Sequence, residues 1–244
     1  MNQINIPPIV KNLLIINVLF FAATFVFESK GIRLAEYLGA YYFDAPNFQI
    51  WQPITYMFMH GGFTHILFNM FALYMFGGIL ETRWGSKRFI NFYLITGLGA
   101  LGLQWAVQAY EVFQITGSPI NQGAVLLKSL AEGMYNPALL SEVQASTLHG
   151  VYFTPMVGAS GAIFGLLVAF GMLYPNTELY IMFIPVPVKA KYIIPVYIVL
   201  ELFLGVASFQ GDSVAHYAHL GGALLGFILV KLWKDKNTYY DYYE

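Results

Sequence analysis

Six stretches of this chain are long and almost free of charge, and nothing limits its fold more. Uncharged runs occupy 12–27, 63–80, 89–110, 143–177 and 213–230, and a sixth, 192–210, is interrupted only by Glu201. A helix needs about 20 apolar residues, with a range of about 17–25, to cross a hydrocarbon core of roughly 30 Å. The first run therefore borrows from Ile6–Val10 to reach full length. The run 143–177 exceeds one span and contains a loop, for which Pro155 supplies a break before Val157. In lipid, backbone N–H and C=O groups must be bonded internally, which makes such runs helices. The expectation is an all-α polytopic membrane protein of six transmembrane helices. It forms a single membrane domain over 1–244, with a core at about 8–234, an outer insertion at about 111–156 and a short tail at 235–244.

Composition agrees and excludes alternatives. Charged residues make up 10% of the chain, against about 25% in soluble domains. With no cysteine, disulfides and thiolate metal sites are ruled out, and a net charge of -1 argues against a nucleic-acid partner. The first ten residues lack Lys and Arg and no Ala-x-Ala pattern follows the first apolar run, so neither a cleaved signal nor a transit peptide fits. Placing the amino terminus in the cytoplasm puts nine of the twelve cations on the inner side and leaves Lys30, Arg33 and Lys128 outside. The positive-inside bias thus favours two cytoplasmic termini, with odd spans running outward and even spans inward. The compact core and missing targeting segment fit a bacterial inner membrane.

The outer loop from about 29 to 60 carries Tyr41, Tyr42, Phe43, Phe48 and Trp51, the composition of a half-embedded segment in the headgroup zone. The outer stretch 111–156 contains helix-like pieces near 124–132 and 137–146 whose apolar positions call for packing against the bundle or the interface. On the inner side, Ile181–Val188 with Pro185 and Pro187 reads as an interfacial segment, and Tyr239–Glu244 as a disordered end. No internal repeat occurs, which gives an inverted-repeat transporter little support.

Three even spans hold the informative polar residues near their outer ends. The second has His65 and Asn69, four residues apart and so on one helix face; the fourth has Ser160 and the sixth His219. At about 1.5 Å per residue, Ser160 lies roughly 22 Å from Pro175 and His219 roughly 18 Å from Lys231. His65 and Asn69 lie roughly 24 and 18 Å from Glu81, so all four share a similar depth. Gly161-x-x-x-Gly165 and Gly222-x-x-x-Gly226 are small-xxx-small patterns that let two helices approach closely, which gives a reason to pair the fourth and sixth spans.

Such a meeting has a chemical reading. An imidazole takes the proton of a serine hydroxyl and later protonates a leaving amine. His65, Asn69 and the Ser160 amide at a helix start are suitable oxyanion donors, and Phe164, one turn after Ser160, is placed to stack on the imidazole. No Asp or Glu stands out as a third member, which leaves the orientation of His219 to packing. Taken singly, Ser160 reads as a packing residue and His65 and Asn69 as interhelical glue. A metal cluster of His60, His65, His216 and His219 is the weaker collective reading, since no carboxylate accompanies them and no His-Glu-x-x-His occurs, so no metal and no cofactor are expected. Glu201 reads as a satisfied interior carboxylate or as a gating or proton-transfer group.

These residues resemble those of the rhomboid family of intramembrane serine proteases. Gly158-Ala159-Ser160-Gly161 is similar to the family's Gly-x-Ser-Gly motif, and Ala218-His219-x-x-Gly222-x-x-x-Gly226 to its Ala-His-x-x-Gly-x-x-x-Gly motif. His60-Gly61-Gly62-Phe63-Thr64-His65-Ile66-Leu67-Phe68-Asn69 resembles its oxyanion segment. The resemblance implies Ser160 as nucleophile, His219 as base, His65 and Asn69 as oxyanion donors and His60 in support. It also implies transmembrane proteins as substrates within the lipid bilayer, with a silent client-binding relative as the alternative. Two departures stand out: the family's Trp-Arg pair reads Trp51-Gln52 here, and Phe164 occupies a position where some members carry Tyr.

Overall fold

The structure, a computed structural model, describes residues 6–120, 122–180, 186–207 and 215–233. Its helices are α1 (Pro8–Glu28), α2 (Leu34–Leu38), α3 (Gln52–Thr55), α4 (Phe63–Ala72), α5 (Gly78–Trp84), α6 (Ser86–Thr116), α7 (Ala124–Ala131), α8 (Glu142–Phe153), α9 (Ser160–Leu173), α10 (Ala190–Ala207) and α11 (His216–Leu232). A π turn at Leu73–Gly77 joins α4 to α5, so the second apolar run is one continuous helix, Phe63–Trp84.

Among the described residues, four helices are long and apolar enough to cross a membrane: Pro8–Glu28, Phe63–Trp84, Ser86–Thr116 and Ala190–Ala207. The fourth and sixth runs form shorter apolar helices, α9 with 14 residues and α11 with 17. The length rule applies to a helix that meets lipid along its whole course. Helix α9 does not: Gly161 to Leu166, Ala169 and Phe170 are all buried. A helix enclosed by protein can start below the surface, because protein rather than lipid surrounds the irregular backbone that precedes it.

The close packing of α9 and α11 rests on glycine. A Cβ on Gly222 would overlap the carbonyl of Gly161, and one on Gly226 would meet the Gly165 backbone at 2.8 Å. Helix α6 closes the trio, with Ala100 against Gly161 and Thr96 against Gly165. Both small-xxx-small faces therefore dock on one another, as their spacing leads one to expect, with α6 on their flank. Helix α1 is pinned by Glu81, whose buried carboxylate accepts from the Ile9 amide (3.0 Å), the Val10 amide (2.8 Å) and the Ser86 hydroxyl (2.6 Å). A carboxylate at a helix start satisfies orphan amides and faces the positive end of the dipole.

A second apolar cluster forms an outer layer from the 29–60 loop, the end of α6 and the 111–156 insertion; Tyr41, Tyr42, Val112, Leu148 and Tyr152 are buried in it. Gln52 organises the loop from the inside. Its Oε1 accepts from the amides of Gln49 (3.1 Å) and Tyr41 (3.4 Å), and its Nε2 donates to the carbonyls of Asn47 (3.0 Å) and Tyr37 (3.5 Å). Trp51 beside it is half-exposed and Ile50 is 86% exposed, which suits a loop edge in contact with the interface.

Two boundaries differ from the expectation. The helix placed near 137–146 runs instead from Glu142 to Phe153, because Ser141 and Gln144 form a capping box that fixes its start. The helix of the third apolar run does not stop where the outer stretch was placed, at about 111, but continues to Thr116 and ends at Gly117 in the left-handed region (φ +79°). The bundle is all-α as expected; beside it, Glu178–Tyr180 and Pro187–Lys189 pair as a short antiparallel hairpin, β1 and β2, with Glu178 opposite Lys189. Of the interfacial segment Ile181–Val188, residues 181–185 lie outside the described residues, as does the tail 235–244.

Gly222→Ala is expected to destabilise the protein by about 1–3 kcal/mol or more through overpacking, read as a lower unfolding temperature in detergent. Gly102→Ala, where nothing lies within 4 Å of the added methyl, is the neutral control.

Candidate active site

Ser160 is the first residue of α9, so its hydroxyl sits beside amides of a first turn that have no intrahelical acceptor. The chain reaches this point through Gly158, held at φ +131°, a conformation that side chains rarely adopt. A Cβ there would also strike the His65 imidazole at 2.8 Å and lie 3.5 Å from Ser160 Oγ. Gly158 thus serves both the turn and the close approach of His65. The amide of Gly158 donates to the Tyr56 carbonyl at 3.0 Å, and Ala40 and Met156 exchange backbone bonds of 2.9 and 2.8 Å, which fix the segment leading into α9.

The Ser160 hydroxyl and His219 Nε2 are 2.8 Å apart. Phe164 stacks on the His219 ring at 4.3 Å between centroids and 7° between planes, and its other neighbour is Tyr197 at 5.1 Å. His65 packs edge-on to His60 with centroids 5.1 Å apart, and its Nδ1 accepts a long bond, 3.4 Å, from the Gly61 amide. Asn69 lies one turn further along α4; it is buried, and its Nδ2 has no partner among the described residues. A buried amide N–H without an acceptor costs on the order of 1–3 kcal/mol, so its retention calls for an explanation. Gly161, Gly222 and Gly226 lie in the helix contact beneath the cluster.

One partnership was missed. Glu201 on α10 is buried, and its Oε2 lies 2.8 Å from His219 Nδ1 and 2.7 Å from His216 Nδ1. The reading that no Asp or Glu accompanies the Ser160–His219 pair is therefore corrected. The signal was present: the fifth span runs antiparallel to the sixth, so its depth must be counted from its beginning. From Lys191 to Glu201 is roughly 15 Å, close to the roughly 18 Å from Lys231 to His219. The ligand atoms of Glu201, His216 and His219 lie within 4.8 Å of one another, a different set from the four histidines considered above. His60 and His65 form their own pair away from that carboxylate.

A helical bundle that sets a half-buried serine hydroxyl on an imidazole, at the start of an enclosed helix, defines a class of polytopic membrane protein. This chain belongs to the rhomboid family: the Rhomboid domain model matches residues 47–234. It is 27% identical over 215 residues, 78% of this chain and 53% of the relative, to an uncharacterized mitochondrial rhomboid protein of Schizosaccharomyces pombe. It is 27% identical over 229 residues, 90% and 63%, to the chloroplastic rhomboid-like protein 11 of Arabidopsis thaliana. To the rhomboid protease AarA of Providencia stuartii it is 28% identical over 193 residues, 73% and 54%. The chain spans about half to two thirds of the length of these relatives. They support an integral multi-pass membrane protein; the mitochondrial and chloroplastic names among them leave a bacterial inner membrane without support.

His60 lies before α4 and is 4% exposed. Burial, then the neighbouring His65, pushes it down from 6.5 to about 4. The unfolded chain then binds this proton first, so the stability His60 contributes is present above pH 6.5 and is lost as pH falls through about 4. Unfolding temperature measured from pH 7 to 4 is expected to fall less steeply in His60→Phe than in the parent.

Proposed function

We propose that this protein is an intramembrane serine endopeptidase that cleaves transmembrane segments of other membrane proteins. The observation that carries the reading is the 2.8 Å contact between Ser160 Oγ and His219 Nε2 at the amino-terminal end of an enclosed helix. Membership of a family with a named protease relative is consistent with it.

In this reading the Ser160 hydroxyl gives its proton to His219 as Oγ attacks the scissile carbonyl carbon. Negative charge moves to the carbonyl oxygen, where the first-turn amides of α9, the unpartnered Asn69 Nδ2 and the His65 ring supply donors. The tetrahedral intermediate collapses, His219 protonates the departing amine, and an acyl-serine remains. Water, deprotonated by the same imidazole, then releases the acid. A regular substrate helix hides its carbonyls in hydrogen bonds, so segments with helix-weakening residues are the preferred substrates. The cation distribution favours both termini on one side of the membrane and the dyad nearer the other face.

Ser160→Ala and His219→Ala are expected to abolish cleavage of a single-span reporter in proteoliposomes, and Asn69→Ala to lower kcat by about 10²–10³. Fluorophosphonate should label the parent and not Ser160→Ala. A silent client-binding protein would show neither cleavage nor labelling, and full cleavage by Ser160→Ala removes the proposal.

A further inference from the structure

Glu201 is the one acidic residue in the fifth apolar run, and its carboxylate faces two imidazoles from the neighbouring helix. A carboxylate in a membrane interior is expensive unless its oxygens are hydrogen-bonded, and here a single oxygen, Oε2, takes both contacts. An ionised carboxylate only accepts. Both Nδ1 atoms must then carry protons, and this fixes the tautomer of His219: its Nε2 is left with the lone pair that faces the Ser160 hydroxyl at 2.8 Å. The imidazole is held on three sides, by Glu201 at Nδ1, Ser160 at Nε2 and the Phe164 ring on one face.

We propose that Glu201 is a positioning residue for the reaction, completing a Ser160–His219–Glu201 triad in which His216 is the second donor that holds the carboxylate in place. The inference rests on the protease reading. As Ser160 gives up its proton, His219 becomes an imidazolium whose new charge sits 2.8 Å from the Glu201 carboxylate. The proton stays on the imidazole throughout; Glu201 orients and stabilises, and accepts no proton. His216, three residues before His219, lies on the same side of α11 and contributes no contact to Ser160 through its Nδ1, which is spent on Glu201.

The same three residues have ligand chemistry for a metal ion, but the geometry favours hydrogen bonding. Each Nδ1 lies 2.7–2.8 Å from Oε2, so the carboxylate oxygen itself occupies the place between the two rings that a cation would need. Zinc would require ligand atoms about 2.0–2.2 Å from a common centre instead. The remaining alternative, that Glu201 merely fastens α10 to α11, makes no demand on the tautomer of His219 and is separable by experiment.

The test uses the purified full chain in proteoliposomes with a fluorogenic single-span peptide. Glu201→Gln keeps the size and one acceptor oxygen but removes the charge and allows the wrong tautomer. It is expected to lower kcat by about 10²–10⁴ at nearly constant KM, with fluorophosphonate labelling slowed in parallel and unfolding temperature close to that of the parent. Glu201→Asp should recover at least a tenth of the lost rate. Parental kcat in Glu201→Gln, alongside a dead Ser160→Ala, overturns the triad and leaves the protease reading standing. Loss of activity that tracks loss of folding in both variants overturns it in favour of a helix fastener. Inhibition of the parent by a chelator and recovery with Zn²⁺ overturns it in favour of a metal site.

Discussion

The contact of Gly222 with the Gly161 carbonyl is the constraint on which the rest of the structure depends. It sets the distance between α9 and α11, and a single methyl at that point is already too large. Ser160 is the residue before Gly161, and His219 lies three before Gly222, so both project from just above the closest approach of their helices. Wider separation would place the imidazole beyond hydrogen-bond reach of the hydroxyl. In a membrane, where lipid is as apolar as leucine, helices gain little by burying ordinary side chains, and close backbone approach supplies the attraction. The same stripes of small residues that hold the bundle together therefore set the geometry of its polar centre.

Three buried side chains carry much of the polar connectivity around that centre, each by bonding groups that would otherwise be orphaned. Glu81 caps α1 from the end of the second span. Gln52 satisfies two amides and two carbonyls of the outer loop. Glu201 takes two imidazoles. None is a surface charge with a loose partner; each is enclosed, where an unmade bond carries its full desolvation cost. Gln52 stands where the family resemblance leads one to expect arginine. Its amide offers both a donor and an acceptor, whereas a guanidinium only donates. The loop here is built to that difference, since two of its four partners are N–H groups.

Much of this was legible in the sequence, because the membrane imposes rules that depend on composition and spacing alone. Apolar run length located the four long apolar helices and the two shorter ones among the described residues, and depth counting gave a reason to bring Ser160 to His219, which lie 2.8 Å apart. The glycine spacing gave the pair that docks. What escaped followed from reading each helix in one direction only. Glu201 lies on an antiparallel span, and its depth matches His219 only when counted from Lys191. The start of α8 was missed because apolar periodicity continues across Ser141, and the capping box with Gln144 decides the boundary locally. The β1–β2 hairpin is a short pairing between residues whose partners lie seven to eleven positions away, which a scan for apolar runs does not register.

The outer layer is more than a cover over the bundle, because the approach to Ser160 is built from it. Helix α9 is too short to reach the surface, so a non-helical segment must deliver its first residue at depth, and such a segment needs partners for its backbone. Those partners come from the outer loop: Ala40 pairs with Met156, and the Tyr56 carbonyl takes the Gly158 amide. Gln52 in turn bonds the amide of Tyr41, the residue after Ala40. Hydrogen bonds thus tie the loop to the backbone of Met156 and Gly158, the segment that leads into Ser160. His65 closes it from the other side, filling the space that a side chain on Gly158 would take. The aromatic loop that reads as an interfacial anchor is therefore part of what places Ser160, and its packing on the 111–156 insertion ties that insertion to the site as well.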